Sequence, residues 1–306
     1  MTLVTSFRVG RLQCHALEGG RQRLDGGAMF GVVPKPLWEK RIPADDRNRI
    51  PLGLRCLLVE HEAGPVLVDT GIGNKESDKF RQIYGVENAG TKGPTQLEDA
   101  LAEAGCKPAD VKFVINSHLH FDHAGGNTFV EDGPTDRRTG EPDRLSVRPS
   151  VRLSFPNATY AVQKGELDFA RHTNERTAAS YLAPNFEPVR AVDRWNLLEG
   201  DGEVLPGISV IRTPGHVPHH QCIMVRDGGE TACFLADLVP TSAHVPLPWI
   251  MGYDLEPLVT FETKRRVLGQ AAAEGWILVF EHDPERALGR VVQDGKSFAY
   301  QALDTR

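Results

Sequence analysis

The chain has 306 residues, enough for one large domain or two small ones. Its 40% apolar and 25% charged content is that of an ordinary globular protein, and no apolar stretch approaches membrane-spanning length. Against 41 acidic residues there are 35 basic ones, and the resulting charge of −6 offers no basic field to a nucleic acid. Cys14, Cys56, Cys106, Cys222 and Cys233 form an odd set without CxxC spacing, which predicts reduced packing residues rather than a disulfide framework. The first ten residues lack a continuous apolar core of the export-signal type, so a cytoplasmic protein is expected. No Ser/Gly-rich linker or charge block divides residues 1–306, which therefore read as a single domain.

In chain order, residues 7–17 read as a strand. From Asp25 to Trp38 the Gly and Pro content argues against a regular helix, while Met29, Phe30, Leu37 and Trp38 are too apolar for a solvated loop. An apolar loop over about 25–50 is expected, capping the core, lining a pocket or meeting a second subunit. Strands at 54–60 and 65–69 make a hairpin over His61-Glu62-Ala63-Gly64. A helix over 96–104 carries Leu97, Ala100, Leu101 and Ala104 on one stripe and stops at Gly105. Residues 111–117 are apolar and β-branched and read as a buried strand. Residues 131–149, rich in Pro, Asp, Arg and Gly, read as an exposed insertion. A strand at 158–162 precedes helices at 165–173 and 175–182. Strands at 208–212, 221–225 and 231–235 follow, then a long helix over 255–274 ended by Gly275, and a strand at 276–280. Strands and helices alternate, yet hairpins occur in both halves, which points to two β-sheets face to face with helices outside.

The densest chemistry is His118-Leu119-His120-Phe121-Asp122-His123. Three imidazoles and a carboxylate within six residues are costly to bury alone, and a metal ion satisfies them together. The segment leaves the 111–117 strand and precedes Ala124-Gly125-Gly126-Asn127, so the ligands sit where a strand exits its sheet, the place α/β folds reserve for chemistry.

This segment resembles the HxHxDH motif of the metallo-β-lactamase superfamily, and the other pieces of that family's constellation follow in order. Asp69 ends the apolar run 66–68, His216 lies in Thr213-Pro214-Gly215-His216, Asp237 follows the run 231–236 and His282 the run 276–281. The resemblance covers about 55–282. It implies an α+β fold, the αββα four-layer sandwich, with a metal site at one edge. It implies His118, His120 and His216 on one divalent ion, Asp122, His123 and His282 on a second, and Asp237 between them, with Asp69 orienting ligands by hydrogen bonding. Zinc suits such nitrogen and carboxylate donors, as do manganese, cobalt and iron. Two ions about 3.5–4 Å apart would hold a bridging hydroxide as nucleophile, while Asp122 orients it and passes a proton to the leaving group.

More narrowly, the run HLHFDHAGGN, the Met29-Phe30-Gly31 loop and the chain length resemble the N-acyl-homoserine lactonases and their methyl-parathion-hydrolase-like relatives. That resemblance implies a metal-dependent hydrolase of lactones or esters, quorum quenching as an outcome, and a small-molecule substrate whose apolar portion lies near Met29, Phe30, Trp38, Trp249 and Met251. One position departs. Those lactonases carry a tyrosine three residues after the bridging aspartate, and here Pro240 stands there with no donor. His244 is the nearest candidate for a catalytic donor in its place. The departure brings phosphotriesterase or arylesterase activity forward, and an iron-dependent persulfide dioxygenase is the alternative of another reaction class. His219 and His220 read as packing or hydrogen-bonding residues, and His15, His61 and His172 as surface residues. Neither nucleic acid nor membrane is expected as a partner, while the apolar N-terminal loop makes a homodimer an expectation.

Overall fold

Alternation of apolar side chains along the strands builds two sheets that face each other. The computed structural model describes residues 2–131 and 151–303. The first half contains β1 (Val4–Val9), β2 (Leu12–Asp25), α1 (Gly26–Phe30), α2 (Lys35–Trp38), β3 (Arg49–Glu60), β4 (Val66–Val68), α3 (Asp78–Tyr84), α4 (Gln96–Glu103), β5 (Phe113–Ile115) and α5 (Phe121–Ala124). It continues with β6 (Thr128–Val130), β7 (Val151–Leu153), β8 (Thr159–Gln163), α6 (Lys164–Arg171), α7 (Glu187–Ala191) and β9 (Trp195–Leu198). The second half holds β10 (Gly202–Leu205), β11 (Ile208–Arg212), β12 (Gln221–Asp227), β13 (Glu230–Phe234), α8 (Pro257–Glu274), β14 (Ile277–Val279), β15 (Leu288–Asp294) and β16 (Ser297–Gln301).

One seven-stranded sheet has the order β1-β2-β3-β4-β5-β8-β9, and the other runs β10 to β16 in sequence order. β4, β5, β8 and β9 are mutually parallel, as are β13 and β14 across α8; the remaining neighbours within the two sheets pair antiparallel. Inward residues Leu57 and Val59 of β3 and Val66 and Val68 of β4 meet Ile223 and Val225 of β12 and Phe234 of β13 in the central core. The alternate residues point outward. Cys56 and Leu58 pack under Leu97, Ala100 and Leu101 of α4, while Cys222, Met224 and Cys233 pack under Val267, Leu268 and Ala271 of α8. The layers are thus helix, sheet, sheet, helix. All five cysteines are buried free thiols.

Several elements differ from the sequence reading. Residues 26–38 form two short helices, not a loop: Asp25 caps the first through the Ala28 N–H (2.8 Å), and Pro36 sits in the first turn of the second, where no N–H is needed. Residues 175–182 form turns, not a helix. Asn174 accepts the N–H groups of Arg176 and Thr177, and Pro184 has no N–H to return to residue 180. The strands β6, β7, β9, β10, β15 and β16 add to those expected, and the strand expected over 7–17 is instead the hairpin of β1 and β2. His15 is buried between Ser6 and Glu60, not on the surface. The expected insertion at 131–149 lies outside the described residues except for Glu131. Among the described residues, no helix is long and apolar enough to cross a membrane.

Lys264 of α8 is buried and donates to the main-chain oxygens of Pro246 (2.8 Å) and Trp249 (2.9 Å). Burial pulls its pKa down to about 7. An unfolded lysine keeps its proton to about 10.4. Between those values the unfolded chain binds the extra proton, so this group makes stability rise with pH, and below pH 7 its contribution is level. Replacing Lys264 by Met is expected to flatten the rise in unfolding free energy between pH 7 and 10 in urea melts; parallel pH profiles for the two proteins would refute this.

Candidate metal centre

The site forms where five strands end. Asp69 follows β4, His118 follows β5, His216 lies beyond β11, Asp237 beyond β13 and His282 beyond β14. Two short devices aim these side chains. Asp69 and Ala236 have φ of 53° and 44°, a left-handed backbone that costs non-glycine residues about 1–2 kcal/mol and turns the chain sharply at the strand exit. At the Gly125-Gly126 step a Cβ would run into the main-chain oxygens of Ile72 and Thr70, so the ligand loop can lie against the loop after β4 only with glycine there. Thr70 N–H then donates to His123 O (2.7 Å) and tethers the two loops.

Seven side chains gather in two groups: His118, His120, His216 and Asp237 in one, Asp122, His123 and His282 in the other. Asp237 faces both. Its Oδ2 lies 3.0 Å from His216 Nε2 and 3.9 Å from His118 Nε2, while its Oδ1 lies 3.2 Å from His282 Nε2. His216 Nε2 is 3.2 Å from His120 Nδ1, and His282 Nε2 is 3.2 Å from His123 Nε2. Imidazole nitrogens this close, around one carboxylate, are donors arranged about shared centres.

The residues fit divalent cations. His118 Nε2 is buried with no hydrogen-bond partner among the described residues, and Asp237 Oδ1, although 3.2 Å from His282 Nε2, makes no aligned hydrogen bond, a cost that metal coordination would remove. Burial and the imidazoles of His123, His120 and His216 keep His118 far below the usual histidine range, so it is neutral and its lone pair is available. Burial opposes charge on Asp237, but His216, His123 and His282 outweigh it and hold its carboxyl well below the ordinary range. Burial likewise opposes charge on His216 and His282, yet Asp237 pushes them up to about 10 and about 9. A cation would displace those protons and take over their role beside the carboxylate.

Further groups orient the ligands. Asp69 accepts from Ser117 N–H (2.7 Å) and Ser117 Oγ (2.6 Å), and its Oδ2 lies 3.0 Å from His123 Nδ1. Asp254 Oδ1 is 2.9 Å from His216 Nδ1. His282 Nδ1 pairs with Gly53 O (2.7 Å). Gln22 Nε2 donates to Asp122 Oδ2. His220 accepts from the Asp237 N–H (3.3 Å) and uses its other nitrogen on Thr213 Oγ1 (2.7 Å), so it is a hydrogen-bonding residue. Glu281 lies against the same ring as Asp69, 3.0 Å from His123 Nδ1, and burial pushes its carboxyl up to about 8. Asp254 and Gln22 escaped sequence reading because each is a single polar residue with no spacing relation to the motif, and Glu281, although next to His282, read only as the end of a strand.

His120, Asp122, His216, Asp237 and His282 open into a cavity of about 420 Å³. Leu24, Ala28, Met29, Met251 and Leu255 give it an apolar wall, and Tyr84, Tyr253 and Arg176 stand among its polar lining. Of the expected pocket residues, Met29 and Met251 line it. Phe30, Trp38 and Trp249 instead pack together behind that wall, Phe30 stacked on Trp38 at 5.3 Å and edge-on to Trp249 at 5.7 Å. His244 also lies behind the wall, stacked on Phe30 at 4.4 Å. Its nitrogens are engaged by Met29 O (2.9 Å) and Thr241 Oγ1 (2.7 Å), and burial pulls its pKa down to about 3. It is a buried neutral support for the Met29 segment, with no donor left for a substrate carbonyl.

A sequence model of the Metallo-beta-lactamase superfamily matches residues 50–282. An N-acyl homoserine lactonase from Bacillus cereus is 28% identical over 250 residues, covering 79% of this chain and 86% of that protein. The crystal structure of a probable metal-dependent hydrolase from Staphylococcus aureus superposes with a TM-score of 0.83 at 29% identity, over 98% of this chain and 100% of the other. AidC, a dizinc quorum-quenching lactonase, superposes with a TM-score of 0.77 over 99% and 98% of the two chains, and at 19% identity it speaks to the fold alone.

Proposed function

The chain belongs to the metallo-beta-lactamase superfamily and is related over most of its length to metal-dependent hydrolases; on that premise we propose that it is a dinuclear, zinc-dependent lactonase acting on lactones or esters with an apolar portion. One observation carries this reading: two donor groups share Asp237 and open into one cavity, which Leu24, Ala28, Met29, Met251 and Leu255 also line. A cavity of about 420 Å³ is the size that holds a small organic molecule. The lactonase relatives support acyl-homoserine lactones as the first class to try, with quorum quenching as the biological outcome.

His118, His120 and His216 would hold one ion, Asp122, His123 and His282 the other, with Asp237 shared. When bound, two such ions supply Lewis-acid charge and water activated near neutral pH. The remaining work falls to the chain. The apolar wall takes the substrate's tail and excludes water from the reacting end. Asp122, steadied by Gln22, orients the nucleophile and carries a proton to the leaving group.

Pro240 favours a second reading. Its ring offers no donor, and its main-chain oxygen is taken by the His282 N–H (2.9 Å). Phosphotriesters and aryl esters, whose leaving groups depart with less help, are therefore the competing class.

The test is a panel of acyl-homoserine lactones, δ-lactones, aryl esters and phosphotriesters, run on zinc-loaded protein with and without chelator. Chelator-sensitive turnover of lactones is expected; a protein that turns over none of the panel would end the proposal. With excess zinc holding two equivalents, Asp122→Asn is expected to lower kcat by about 10²–10⁴-fold. An unchanged kcat would remove Asp122 from proton transfer.

A further inference from the structure

Glu166 of α6 is fully buried and forms no part of either donor group. Its Oε1 accepts the Leu119 N–H (3.0 Å) and the Tyr181 hydroxyl (2.9 Å). Its Oε2 has no partner among the described residues. Leu119 is the residue between His118 and His120. The Tyr181 ring stands edge-on to the His120 ring at 4.7 Å. One oxygen thus grips His120 from two sides: through the main chain that precedes it, and through the ring that packs against its imidazole.

A second contact, on the far side of His120, repeats the grip. Phe121 N–H donates to Ser180 O (2.9 Å), so the ligand turn and the 174–182 segment are pinned at residues 119 and 121. Thr177, Ala179 and Ser180 of that segment also line the cavity. A buried carboxyl is expensive to keep where a solvent-exposed acid would cap a helix at no cost. Its retention under the ligand turn calls for a local role, and burial pushes it up to about 7.

We propose that Glu166 is a positioning residue that fixes His120 as a ligand, through the Leu119 N–H and the Tyr181 hydroxyl, and so sets the affinity of the ion held by His118, His120 and His216. The inference rests on the dinuclear reading above. Orienting partners of metal ligands typically govern about 10–100-fold in metal affinity. The second group, Asp122, His123 and His282, is oriented by Asp69, Gln22 and Gly53 and does not touch Glu166.

Full-length Glu166→Ala protein is titrated with zinc against a chelating competitor, and with cobalt(II) followed by its visible ligand-field spectrum. One ion is expected to weaken by about 10–100-fold while the other keeps its affinity. Glu166→Gln keeps the accepting oxygen for both donors and should stay within about 3-fold of wild type. Should Glu166→Ala fail to fold, Tyr181→Ala, which removes the ring from His120, must give the same one-site loss. Equal weakening of both ions, no weakening, or a Gln variant as weak as the Ala variant would overturn the inference. Wild-type protein that binds fewer than two ions would instead count against the dinuclear reading itself.

Discussion

Asp237→Ala protein is expected to lose both metal sites together and to hydrolyse its best substrate at least ~10³-fold more slowly, the several kcal/mol a metal supplies to a transition state. The reason is geometric. Asp237 Oδ2 serves the group of His216 and His118, while Oδ1 serves His282. Without the carboxylate, the His216–His120 pair, 3.2 Å apart, loses the anion beside it, and the His282–His123 pair, also 3.2 Å apart, keeps as shared anion only Asp122, 3.8 Å from each Nε2. Each site then carries one fewer negative charge while the cations still repel. Replacing a ligand of one group alone, such as His118, should spare the other ion. Elemental analysis after dialysis, alongside initial rates, separates these cases. Two equivalents of metal and an undiminished rate in Asp237→Ala would show that this carboxylate is not shared.

The candidate ligands were legible because their chemistry is written locally. Six contiguous residues announce the motif, and Asp69, Asp237 and His282 each end an apolar run that could only be a buried strand. The layers were legible from the order of the elements, since hairpins in both halves with helices between strands point to two sheets face to face with helices outside, and the continuous apolar runs of β3 and β12 are buried on both faces. What failed was anything decided by a distant partner. Gln22 meets Asp122 across 100 residues, and nothing in either sequence neighbourhood marks the pairing. Phe30, Trp38 and Trp249 are apolar enough for a pocket, but they stack on one another, and only Met29 and Met251 are left facing the cavity. His244 sits at a plausible distance in sequence from Asp237, yet Thr241 and Met29 claim both its nitrogens. The apparent helix at 175–182 had good residues, but Asn174 takes the N–H groups of Arg176 and Thr177, Pro184 has no N–H to offer residue 180, and the Ser180 carbonyl accepts from the ligand turn.

Arg55→Leu is expected to destabilise the fold by about 3 kcal/mol and to weaken the ion on the His282 side more than its neighbour. Arg55 is 2% exposed in β3. Its guanidinium meets Glu18 at 2.6 Å and 2.7 Å and donates to the main-chain oxygens of Phe280 and Asp283, the latter at 3.2 Å. These two carbonyls bracket His282. The main chain of β3 reinforces the clasp, with Gly53 N–H on His282 O (3.0 Å) and Arg55 N–H on Glu281 O (3.1 Å). The arginine therefore joins the sheets at the point where a ligand emerges. A leucine would fill most of the volume but strand two carbonyls and leave Glu18 unpaired. Glu18 is 28% exposed, so water recovers part of its loss, which places the effect at the lower end for a broken buried pair. Arg55→Lys should recover little, because a point charge with no planar fork cannot serve the carboxylate and both carbonyls at once. A double-mutant cycle with Glu18→Gln separates the ion pair from the carbonyl contacts. If Arg55→Leu melts within 1 °C of wild type, a tolerance far smaller than the several degrees about 3 kcal/mol should move Tm, the clasp contributes nothing. Retained stability with one-site metal loss would mean instead that its whole effect falls on His282.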